Sequence, residues 1–175
     1  MLVRINFKKT EIDKILKTAV ILVDTREQKN QHVLDYFKKK NIAYRIEKLE
    51  YADYSIALPK SDHLDKEVYL NNVVSIERKG SLEELSGNFT NGRARLEEEF
   101  QRSKGKIFLL IEGAMFEDIV DHNYKTNFNS NSYVGTLKSF EARYGFSTNF
   151  VKDKDKVGEF IYKTLIYQAR EYLLK

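Results

Sequence analysis

The chain has 175 residues, 42% hydrophobic and 13% aromatic, with one proline and eight glycines, which suits one packed domain and excludes a disordered or fibrous chain. Its 30 basic and 26 acidic residues leave a formal charge of +4, compatible with a polyanionic partner but too small an excess to establish one. The absence of cysteine excludes disulfides, thiolate nucleophiles and zinc–thiolate centres, so any metal is held by oxygen or histidine.

Charges interrupt the opening MLVRINFKKTEIDKILK every few residues, so no signal peptide is expected. No run approaches the roughly 18–20 apolar residues of a membrane span. The expected location is intracellular: cytoplasm or nucleoid, or the host cytoplasm for a viral source.

Residues 1–18 form an extension expected to pack on the core, with a strand over Leu2–Phe7 and a short helix capped by Thr10, with Asp13 three residues on. The apolar run 19–24 reads as a buried central strand that carries Asp24 to its carboxyl end, where α/β folds place chemistry. A helix over Gln31–Lys40 buries Val33, Leu34 and Phe37, and a strand near Ala43–Leu49 follows. Strands are expected over Asp53–Leu58, Glu67–Leu70 and Val73–Lys79, the last two forming a hairpin around Asn71-Asn72.

From Ser81 to Lys104 the pattern is helical with a break near Gly87–Gly92, and Lys106–Ile111 is another buried strand. A helix from Met115, a mobile polar loop around Tyr124–Asn131, a helix near Ser132–Tyr144, a strand near Ser147–Val151 and a helix from Asp155 complete the chain. The last helix carries two apolar stripes, Ile161/Leu165/Tyr172 and Tyr162/Ile166/Leu173, wider than one core-facing side requires. The fold class is α/β, a central mixed β-sheet flanked by α-helices.

Chemistry concentrates in VVSIERK, where the period of two in a strand puts Glu77 and Lys79 on one face and Arg78 on the other. Phosphodiester hydrolysis requires a divalent cation against the phosphate, a nucleophilic water, and positive charge near the developing anion. A Glu-x-Lys strand supplies a cation ligand and an ammonium. Asp53 and Asp24, each at a strand end, supply further oxygens, and hard oxygen ligands without a nearby histidine favour Mg2+ or Mn2+. His32, His63 and His122 lack ligand spacing and are read as surface residues.

Val23-Asp24-Thr25-Arg26-Glu27, Ala52-Asp53-Tyr54 and Glu77-Arg78-Lys79 with Glu83 beyond resemble the V-D-x-R-E, G-D-Y and E-R-K-x-x-x-D motifs of XPF-type structure-specific nucleases. Asn91-Gly92-Arg93 and Leu110-Ile111-Glu112-Gly113 extend the match, which covers about residues 20–175. The resemblance implies a restriction-endonuclease-like core over residues 19–175 that cuts branched, flapped or junction DNA with Mg2+ or Mn2+. It implies Asp24, Asp53 and Glu77 as metal ligands and Lys79 as the group that positions or activates water. Arg26 either contacts the scissile phosphate or braces the acids, Glu27 is either a ligand or a supporting carboxylate, and Arg78 is structural.

Ala52 stands where the family has glycine and Glu83 where it has aspartate, and the family's tandem helix-hairpin-helix domain is not found in this sequence. Phosphate contacts are then sought on the helix after Asn91, at Arg93 first and at Arg95, Arg102 and Lys104 next. Dimerisation through the nuclease domain is implied by the same resemblance. A non-catalytic DNA-binding or scaffold module of the same fold is the alternative, disfavoured because Asp24, Asp53, Glu77 and Lys79 are all present.

Overall fold

The computed structural model describes residues 7–175; the strand expected over Leu2–Phe7 lies almost wholly outside them. A seven-stranded mixed sheet forms the centre: β1 (Val20–Val23), β2 (Tyr44–Ile46), β3 (Tyr54–Leu58), β4 (Val68–Tyr69), β5 (Val74–Lys79), β6 (Lys106–Glu112) and β7 (Ser147–Val151). Their order is β2-β1-β3-β5-β6-β7, with β4 added to one end of β3. β3 runs antiparallel to β1, β4 and β5, while β1/β2, β5/β6 and β6/β7 are parallel.

This pairing corrects the expected Glu67–Lys79 hairpin. The Asn71-Asn72 turn does join β4 to β5, but β4 pairs with β3, and β5 lies between β3 and β6. β5, buried along its whole length, is better covered between two strands than it would be beside a two-residue partner.

Helices cover both faces, as the alternating side chains require. On one face α1 (Lys9–Lys17), α2 (Gln31–Lys39) and α7 (Val157–Leu174) enclose Ile21, Val23, Ile56, Val74, Ile76 and Leu110. On the other, α3 (Leu82–Phe89), α4 (Arg93–Arg102), α5 (Phe116–Val120) and α6 (Ser130–Tyr144) pack over Ile107, Leu109 and Ile111. Each fully buried Leu, Ile or Phe contributes about 1.5–3 kcal/mol, so both layers are needed to hold the sheet.

α1 begins earlier than expected. Lys8 donates its backbone N–H to Glu11 Oε2 at 2.6 Å, so Thr10 lies inside the first turn and does not cap it. Ile12, Ile15 and Leu16 of α1 join the α7 cluster, and Asp13 receives Arg170 at 2.6 Å. α1 thereby helps to cover the broad apolar surface of α7, whose buried line is Ile161, Leu165, Ala169 and Leu173, whereas Tyr172 is exposed.

The polar segment after α5 is fastened. Tyr124 is buried, stacks on His122 and donates to the Phe128 carbonyl at 2.6 Å, while Lys125 N donates to Glu83 at 2.9 Å. Asn129 then caps α6 by accepting from Asn131 N and Ser132 N, which starts that helix at Ser130. The expectation of a mobile loop is replaced by a tethered one.

Candidate active site

Because β3 is antiparallel to both neighbours, its first residues meet the carboxyl ends of β1 and β5. Asp24 N donates to Asp53 O at 2.8 Å and Asp53 N to Ile76 O at 3.0 Å, locking three strand ends together. An open cleft of about 500 Å3 lies above them, its floor formed by Asp53, Glu77 and Lys79 and its walls by the segment after β1 and by α4.

The strand period acts as expected on β5. Ser75, Glu77 and Lys79 share one face, and Arg78 points to the other. Lys79 Nζ donates to Glu77 Oε1 at 2.7 Å, both side chains being buried. Burial alone favours the neutral amine, but Glu77 and Asp53 outweigh it and hold Lys79 as an ammonium. Glu77 Oε2 is buried and has no hydrogen-bond partner.

Three carboxylates crowd this floor. Burial, then the charge of Glu27, pushes Asp53 up to about 8, although Arg78 N donates to its Oδ2 at 2.7 Å. Burial also raises Glu27, to about 7, against the pull of Arg78 at 2.6 Å. Glu77 is raised well above the ordinary carboxylate range by burial and by Asp53.

Asp24 has a different environment. Its Oδ1 accepts from Arg26 N at 2.8 Å and Arg26 Nε at 2.6 Å, and its Oδ2 from Leu49 N at 2.7 Å and Arg26 Nη2 at 3.1 Å. Burial opposes ionisation, yet these bonds keep its carboxyl below the usual range. Four donors fill the roughly four acceptor positions of a carboxylate, so Asp24 organises the loop and braces Arg26.

Arg78 is enclosed on the opposite face. It donates to Glu112 Oε1 at 2.6 Å, to Glu27 and to the carbonyls of Gln28 and Lys29. His32 Nε2 also meets Glu112 Oε1, at 2.8 Å. Glu112 ends β6 as Asp24 follows β1, an acid closing a buried strand, and that signal was present in the sequence without a role attached to it.

Helix α4 divides its arginines between two directions. Arg93 pairs with Glu97 at 3.6 Å and lies over the Phe140 ring at 5.2 Å, so it is turned to α6. Arg95, Glu99 and Arg102 line the cleft instead. Glu83 is likewise turned away toward Lys125, and the cleft-lining carboxylate of α3 is Glu84, which accepts from Gly80 N at 2.8 Å.

Two features of the floor suit a divalent cation: the orphaned Glu77 oxygen and the mutual repulsion of Asp53, Glu77 and Glu27. Among the described residues no three acidic or histidine side chains form one metal-binding group. A cation there would depend on two protein carboxylates plus water or phosphate, which is usual for Mg2+.

The model of the ERCC4 domain matches residues 23–164, and the chain belongs to the ERCC4 domain family. Among solved structures, XPF from Aeropyrum pernix is similar with a TM-score of 0.62 at 18% identity, over 87% of this chain and 64% of that one. XPF from the same organism in complex with DNA gives 0.61 at 16% identity, over 87% and 66%. The chain therefore spans just under two thirds of the length of these structures, and it has the XPF nuclease fold. No curated protein matches by sequence.

Proposed function

We propose that the chain is a metal-dependent endonuclease that hydrolyses phosphodiester bonds in branched, flapped or junction DNA, serving repair, recombination or replication. The observation that carries this reading is the buried Glu77–Lys79 pair beside Asp53, with one Glu77 oxygen lacking any partner, at the floor of an open cleft. A scaffold needs no such site, since buried like charges destabilise a fold unless something neutralises them.

Asp53 and Glu77 would hold Mg2+ or Mn2+; Asp24, with its oxygens already taken, anchors the loop. When bound, the cation neutralises the phosphate and acidifies a water. Lys79, held as an ammonium by Glu77 and Asp53 in the metal-free chain, would position the attacking water or balance negative charge that develops on the phosphoryl oxygens. Arg26, Arg95 and Arg102 receive the DNA backbone along the cleft, which moves the expected Arg93 contact to its neighbours on α4. A homodimer is the assembly implied by the family resemblance, and the exposed Met115 just before α5, with Phe116 and Val120 on it, offer it apolar surface.

Incubating the protein with Mg2+ or Mn2+ and linear, flapped, splayed and four-way DNA tests the reading. Cleavage of branched DNA that disappears in Asp53→Ala and Lys79→Ala, with binding kept, is expected. DNA binding without cleavage under every metal condition would instead establish the scaffold alternative.

A further inference from the structure

Ala52 adopts φ +62°, a left-handed conformation that an L-residue with a Cβ rarely takes, immediately before Asp53. Its backbone N–H is not part of the sheet. It donates to Glu99 Oε1 of α4 at 3.1 Å, across the cleft floor. A second tie runs from the segment just after the same helix, where Lys104 N donates to Tyr51 Oη at 3.2 Å, and that hydroxyl in turn donates to Asn71 O at 2.7 Å. The strained turn is therefore gripped by the segment that carries Arg95 and Arg102.

We infer that Glu99 is a positioning residue for the active site: its carboxylate fixes the Ala52 peptide and so aims Asp53 at the cation. The inference rests on the endonuclease reading and adds a residue that none of the sequence motifs contains. Asp53 is held by its own amide, its own carbonyl and the Arg78 amide. Ala52 supplies the remaining degree of freedom, because relaxation of its φ rotates the peptide leading into Asp53. An acceptor opposite the Ala52 N–H stabilises the left-handed turn, as strained backbone at a working site requires. Since Arg95 and Arg102 lie one turn to either side of Glu99, DNA seated on α4 pushes on the same lever that sets Asp53.

The positioning role belongs to the oxygen acceptor; the charge of Glu99 also acts on Asp53 and Glu77, and since E99Q and E99A both remove that charge, the difference between them isolates the acceptor. E99Q keeps an acceptor, E99A removes it, and A52G/E99A removes both the acceptor and the strain it opposes. Three readouts are made on each protein: hydrogen exchange of the Ala52 amide, Mn2+ affinity by calorimetry, and kcat and KM on a flapped DNA. E99A is expected to lose Ala52 protection at least tenfold, to bind Mn2+ about tenfold more weakly, and to fall in kcat with little change in KM. E99Q retains all three, and A52G/E99A regains most of the Mn2+ affinity and kcat.

Wild-type exchange and Mn2+ affinity in E99A, an E99Q protein as impaired as E99A, or no recovery in A52G/E99A would each overturn the inference. Failure of the wild-type chain to bind Mn2+ or cut DNA sinks the endonuclease reading instead. In that event the amide shifts of Asp53 and Arg78 in E99A still report whether Glu99 sets this turn.

Discussion

Lys79 reaches one oxygen of Glu77 at 2.7 Å and leaves the other buried without a donor. The pair is thus half satisfied, and each member depends on the other for its charge. Lys79→Met should lower kcat by about 10²–10³-fold, the range for losing a group that stabilises transition-state charge. Thermal melts at the assay pH check that the variant remains folded. Activity within threefold of wild type would remove Lys79 from the chemistry.

The sign of the pH dependence follows from Asp53. Folding raises its pKa from 3.8 to about 8, so between these values the folded chain holds a proton that the unfolded chain has lost. Stability of the metal-free protein should therefore fall as pH rises across that window, and Mg2+ or Mn2+ affinity should rise as the proton is displaced. Asp53→Asn should flatten both trends, abolish cleavage, and raise the metal-free melting temperature at pH 8 by about 2–4 °C, equivalent to about 1 kcal/mol. Melting in EDTA from pH 5 to 9 measures it.

Asp24 behaves oppositely. Its lowered pKa contributes stability above the ordinary carboxylate range, lost as pH falls through the folded value. Asp24→Ala strands the amides of Arg26 and Leu49 and should destabilise by about 2–4 kcal/mol, read as a lower urea midpoint. Mn2+ affinity should fall less than in Asp53→Ala. Equal losses would restore Asp24 as a ligand.

The two directions of α4 give distinct salt effects. Replacing Arg95 and Arg102 by alanine should reduce the slope of log K against log salt by about 1.8, two phosphate contacts' worth. Arg93→Ala should leave that slope unchanged while loosening α4 from α6. Fluorescence anisotropy on one flapped DNA at several salt concentrations distinguishes them.

Gly158 tests the layer farthest from the cleft. A Cβ there would lie 2.6 Å from Tyr36 Cβ, where α2 and α7 touch. Gly158→Ala should destabilise by roughly 1–3 kcal/mol through overpacking and leave cleavage at low temperature intact. An unchanged melting temperature would mean that the helices separate freely.

Much of this arrangement is legible in the residues themselves. Buried strands ending in Asp24 and Lys79, and the alternation that separates Lys79 from Arg78, follow from periodicity alone. Strand partnership does not, because VVSIERK carries its own pattern but not the identity of the strands beside it, and so β4 and β5 read as a hairpin. The phase of α4 is legible as well: Arg93 is three residues from Leu96 and seven from Phe100, on the side toward α6 yet exposed, while Arg95, Glu99 and Arg102 share the neighbouring one. The saturation of Asp24 and the grip of Glu99 on Ala52 depend on side-chain placement across distant segments, which no local pattern encodes. The polar composition of the loop after α5 hides its fastening, since Tyr124 and Asn129 hold it through side-chain contacts that no periodicity marks.

The groups of the cleft arrive from the ends of β1, β3 and β5 and from a helix after them, with β6 closing the set through Glu112. During synthesis the acids of β1 and β3 therefore emerge as unconnected segments, and the cleft exists only once β5 and α4 have followed and the sheet has closed around them.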